Sequence, residues 1–125
     1  VVEIVIGVRD WQCIDGTLDN TGATERVGGD EELAAAAGRL REVGWAVAAA
    51  HPAVGLGWGG WPPTTETLAI RMSRADWQMV AAELRRWADV ADGIDEDGMR
   101  EEAATQRRLA NLVSTCLDEE RPHDS

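Results

Sequence analysis

The chain contains no lysine, no phenylalanine and no tyrosine. Each absence excludes chemistry. Without lysine there is no phosphate-loop ammonium, no Schiff-base amine and no lysine general base. Without tyrosine there is no phenolic acid. Cysteine is scarce: Cys13 and Cys116 are the only two, with no C-x-x-C and no cysteine–histidine ladder. That argues against a structural zinc site and reads as two thiols rather than a bridge. No apolar run approaches the ~20 residues that span a bilayer. No charged-then-apolar leader opens the chain. It begins with Val1 rather than Met, as a trimmed chain or one started at a GTG codon would.

What is present is equally skewed. All the basic residues are arginine, twelve of them, and all the aromatic ones are tryptophan, six of them. Lysine, phenylalanine and tyrosine have AT-rich codons, so this usage fits a GC-rich bacterium or phage. A hydrophobic content of 44% over 125 residues suits one globular domain. The net charge of −11 repels duplex phosphate and disfavours nucleic-acid binding. It suits a soluble, cytoplasmic protein or one with a basic partner.

Residues 1–8 alternate, with Val2, Ile4, Ile6 and Val8 on one face, and read as a strand. Residues 11–30 are rich in Gly, Asp, Asn and Thr and read as a long loop. Asp30 is a good N-cap for a helix ending near Gly44. The run "WAVAAA" at 45–50 reads as a second strand with Trp45, Val47 and Ala49 on one face, though its alanines could also extend the helix, and 51–65 reads as a second long loop. Leu68, Ile70 and Met72 alternate in a third strand. Ser73 caps the next helix, whose stripe runs through Trp77, Val80, Ala81, Leu84, Trp87, Ala88 and Ala91. A last helix spans about Met99–Cys116. The expected fold is α+β in the order β-α-β-β-α-α, with about three strands and a C-terminal helical hairpin. The first two strands would be parallel. A single domain would cover 1–117, with an acidic disordered tail at 118–125. No internal repeat stands out.

Residues Gly55–Gly60 match G-x-G-x-x-G letter for letter. The dinucleotide fingerprint needs a helix opening on the glycines. Trp61-Pro62-Pro63 disfavours one, so no cofactor is expected. The stretch is notable instead for Trp58 and Trp61, which read either as a lid on the core or as a recognition patch. With Trp11 they are the candidate binding residues. The acidic link at 92–98 places Asp95 and Asp97 at calcium-loop spacing but lacks the first Asp and the final Glu. It reads as a turn, with Asp97 a cap and no metal.

Three functions remain in view. The first is a non-catalytic interaction or accessory module that binds another protein through Trp58 and Trp61, with a homodimer as a further option. The second is a small enzyme or ligand binder. If the first two strands are parallel, Cys13 and Asp15 would meet His51 at the carboxyl edge of the sheet, a nucleophile–imidazole–acid arrangement. His123 lies in the tail and has little claim. The third is an acidic inhibitor imitating duplex DNA, against which Arg85-Arg86 and Arg107-Arg108 interrupt any single-sign face.

Overall fold

The computed structural model of the protein describes residues 1–94 and 96–120. Asp95, the side chain of Asp97, and residues 121–125 with His123 lie outside the described residues. The elements are β1 (Val2–Gly7), α1 (Val8–Glu25), α2 (Glu31–Ala49), one 3-10 turn (Trp58–Gly60), β2 (Thr67–Met72), α3 (Arg74–Asp92) and α4 (Asp97–Glu119). The described residues form an α+β fold of four helices and a two-stranded antiparallel sheet. Among the described residues no helix is long and apolar enough to cross a membrane.

Three expectations need correction. Residues 11–30 are mostly helix, not loop. Their weak helix formers are overridden by a buried stripe of Trp11, Ile14 and Leu18. Thr17 and Thr21 fill the same stripe, each donating its hydroxyl to the carbonyl four residues back, at 2.9 and 3.3 Å. Residues 45–49 continue α2, the alternative reading of that run, rather than form the strand counted in the expected order, as an alanine-rich stretch favours. The described residues therefore form two strands, not three, and β1 pairs antiparallel with β2 instead of parallel with 45–50.

The chain forms two compact units, Val5–Ile70 and Val1–Ile4 with the chain from Arg71 onward. In the first, α1 packs on α2. Val8 opens α1 without a side-chain cap, and its amide donates to the Glu66 carbonyl at 2.9 Å. Asp30 caps α2 through the Leu33 amide. Gly44 lies against the Trp11 indole, with no room for a Cβ. In the second unit, α3 packs on α4 through Ala88, Ala91 and Ala103. Ser73 caps α3 through the Asp76 amide. The Trp77 indole donates to the Val2 carbonyl at 2.9 Å. The N-cap position of α4 is Glu96, not Asp97. That helix runs past Cys116 through the acidic Asp118 and Glu119. Leu117 is buried there, and the Arg74 guanidinium donates to its carbonyl at 2.6 Å.

The order is thus β-α-α followed by β-α-α, and the two halves repeat one another. The shift that carries Asp10-Trp11-Gln12 onto Asp76-Trp77-Gln78 also aligns the first strand, both helix starts and many of the buried positions. Val2, Ile4 and Ile6 match Leu68, Ile70 and Met72, all buried. The cap positions Gly7 and Asp30 match Ser73 and Glu96. Ala37, Leu40 and Gly44 match Ala103, Gln106 and Ala110, all buried. Arg41 matches Arg107, and each bridges two aspartates of the preceding helix. The repeat escapes a sequence reading because little beyond Asp-Trp-Gln survives as consecutive identity.

The matched pair Gly44 and Ala110 gives a direct test. Gly44→Ala drives a methyl into the Trp11 indole and should cost about 1–3 kcal/mol, despite the roughly 0.5–1 kcal/mol that alanine gains over glycine within a helix. Ala110→Gly should lose that smaller amount together with about 0.8 kcal/mol for its buried methyl. Urea denaturation of both variants reads the difference. A Gly44→Ala protein as stable as wild type would contradict the contact.

Candidate functional site

The loop after α2 closes on itself. The Gly55 amide donates to the Gly60 carbonyl at 3.0 Å, and the Gly57 amide to the Trp61 carbonyl at 2.7 Å. Trp61 in turn donates to Trp58 at 3.2 Å. Gly55, Gly59 and Gly60 sit at φ of 84°, 66° and 86°, a region open to glycine and strained for side-chain-bearing residues. The glycines therefore shape a hydrogen-bonded ring rather than provide slack. Beyond the ring the chain continues through extended Trp61 and two prolines into β2. No helix opens on the glycines as a dinucleotide site requires.

Trp58 crowns this ring with 88% of its surface exposed. It is no lid on the core. Trp61 is half-buried and walls an open apolar cleft of about 210 Å³. Trp45, Ala48 and Ala49 of α2 form one side of the cleft, and Val54, Gly59 and Trp61 of the loop form the other. Leu56, beside it in sequence, is 77% exposed. Trp11, the third candidate binding residue, is fully buried inside α1 and presents nothing to a partner.

Trp45 lines this cleft and is not among the residues the sequence singled out, because a strand over 45–50 grouped it with Val47 and Ala49. Its orientation follows from its neighbour. Gly44 must face Trp11, so the next residue, about 100° further round the helix, faces out. Arg41, one turn earlier, lies over the Trp45 ring at 4.8 Å. Its Nε and Nη2 both reach Asp15, at 3.1 and 3.4 Å, and its Nη1 reaches Asp19 at 2.8 Å. Partial burial works against the Arg41 charge. The hydrogen bonds and charges of Asp15 and Asp19 outweigh that, so its pKa stands above the ordinary arginine value.

The alternative centred on Cys13, Asp15 and His51 loses its geometric premise, since the described residues form no parallel strand pair to gather them. Cys13 lies within α1. Asp15 turns both oxygens to Arg41. The His51 Nδ1 accepts from the Ala53 amide at 3.0 Å and its Nε2 lies 3.6 Å from Glu66. An imidazole accepting at Nδ1 cannot donate there to an acidic orienter. No group of His, Cys, Asp and Glu among the described residues has the arrangement of a metal site. The two cysteines form no disulfide.

The Arg41 cluster and the Cys116 thiol can each be tested. Arg41→Ala strips Asp15 and Asp19 of their shared cation and Trp45 of its cover. It should cost about 1–3 kcal/mol in urea denaturation and raise acrylamide quenching of tryptophan fluorescence, with Arg41→Lys restoring only part. An unchanged stability would count against the Arg41 cluster. At the other end of the chain, burial pushes the Cys116 thiol up, and the charges of Glu119 and Glu120 add to it. Less thiolate then exists at any given pH. Alkylation by iodoacetamide in a Cys13→Ser background should be slower than that of a cysteine peptide near neutral pH and should rise at a higher pH. A midpoint at or below the peptide's would contradict this.

Comparison with protein-family models, with curated proteins and with solved structures returns no match. The likeness that the described residues do display is internal, in the β-α-α order of the two halves.

Proposed function

We propose that the protein is a non-catalytic interaction module that binds another protein through the Trp58 loop and the cleft walled by Trp45 and Trp61. The observation that carries this reading is the exposure of Trp58 on a closed loop. An indole side chain buries roughly 150–250 Å². At about 25 cal/mol per Å², Trp58 leaves on the order of 4–6 kcal/mol of gross burial free energy unused. Only part would survive as affinity, but the hydrogen-bonded loop keeps the ordering cost low.

The repeated half supplies an internal control. The positions of Trp45, Ala48 and Ala49 hold Asn111, Ser114 and Thr115 in α4. The β-α-α scaffold therefore does not require apolar residues on this helix face. The first half carries them, together with a long tryptophan loop.

Trp58→Ala removes an exposed ring and should leave stability within about 0.5 kcal/mol of wild type. Immobilised on beads and offered an extract of the source cells, the variant should lose a partner that the wild type retains. Equal recovery of the same proteins by both would overturn the reading.

A further inference from the structure

The chemistry of the cleft specifies what enters it. Its volume, about 210 Å³, is below the roughly 300–1,000 Å³ of small-molecule sites and suits a single side chain. Its walls are two indoles, a valine and two alanines, so that side chain is apolar. The electrostatics around it are one-sided. Residues 52–65 carry no charge at all. On the α2 face that bears Trp45, Arg41 has every guanidinium nitrogen engaged by Asp15 and Asp19. Glu42, exposed and one turn before Trp45, adds a third carboxylate. Three acids thus stand against one fully engaged cation. The uncovered Trp58 ring is a further attraction for a cation. A second copy of the chain is disfavoured as occupant, because each copy carries −11.

We infer that the cleft seats one apolar side chain from a cationic polypeptide segment, whose Lys or Arg residues flank that anchor and face the exposed Asp19 and Glu42. This rests on the reading of the same surface given above and adds the chemistry of the partner.

The probe is the capped peptide Lys-Lys-Leu-Lys-Lys, titrated to about 5 mM, enough to saturate a millimolar site. The indole N–H resonances of the intact, isotope-labelled protein are the readout. Trp45, Trp58 and Trp61 should shift, while the buried Trp11 and Trp77 hold still and report that the fold is intact. The leucine peptide should bind about tenfold more tightly than Lys-Lys-Gly-Lys-Lys, Gly-Gly-Leu-Gly-Gly or Glu-Glu-Leu-Glu-Glu. Its affinity should fall severalfold with Glu42→Lys, and also in 1 M salt, where the screening length is about 3 Å. Equal binding of the neutral or acidic leucine peptide overturns the cationic partner. Equal binding of the glycine-centred peptide overturns the apolar anchor. Shifts confined to other residues, or none by 5 mM, overturn the site. Loss of capture by Trp58→Ala alongside such failures would leave the interaction surface standing and reject only this partner chemistry. Undiminished capture would reject the surface itself.

Discussion

The orientation of α2 depends on one contact, the Trp11 indole laid against the bare Cα of Gly44. It lets the two helices approach at a point where any side chain would hold them apart. Because Gly44 must face inward, the residues around it have no freedom. Trp45 turns outward, Arg41 turns toward Asp15 and Asp19, and Ala48 and Ala49 line the near side of the cleft. A core packing constraint thus decides which chemistry reaches the surface. It also has a cost, since the buried Trp11 Nε1 finds no acceptor among the described residues. In the second half Ala110 stands where Gly44 does, and Trp77 donates to a strand carbonyl instead.

The repeated β-α-α halves share positions that build the scaffold and differ at positions that face out. Strand alternation, helix starts and the bridging arginines Arg41 and Arg107 recur. The helix face after the arginine does not. It is apolar and walled by a tryptophan loop in one half and polar in the other. A groove on the second hairpin is lined by Arg85, Asp89, Arg107 and Asn111, with no apolar member. The same architecture therefore tolerates either character, and the choice is not dictated by folding.

Much of the fold was legible in the sequence where local signals agreed with tertiary demand. Asp30 and Ser73 cap the helices expected of them, and Leu68, Ile70 and Met72 face inward along β2. The stripe from Trp77 to Ala91 is buried apart from a half-exposed Trp87. Legibility failed where polar residues were conscripted into the core. In α1 the buried stripe is completed by Thr17, Thr21 and Gly22, so the helical period was hidden beneath a loop-like composition. In α2, β-branched and aromatic residues among alanines imitated a strand, and that error concealed Trp45. Trp58 was visible from the start, but its exposure was not. That depends on backbone hydrogen bonds within the loop, which leave no mark on residue type.

Those hydrogen bonds have a kinetic meaning. A glycine-rich loop is ordinarily a segment that must search for its bound shape, which slows productive encounter. Here Gly55, Gly57 and Trp61 have already committed their amides, and the indole of Trp58 is held out on a finished turn. Under the proposed reading, a partner would meet a completed surface. The speed of association would then be set by how the electric field of an acidic protein draws that partner in, and the lifetime of the complex by how well a side chain fills the cleft.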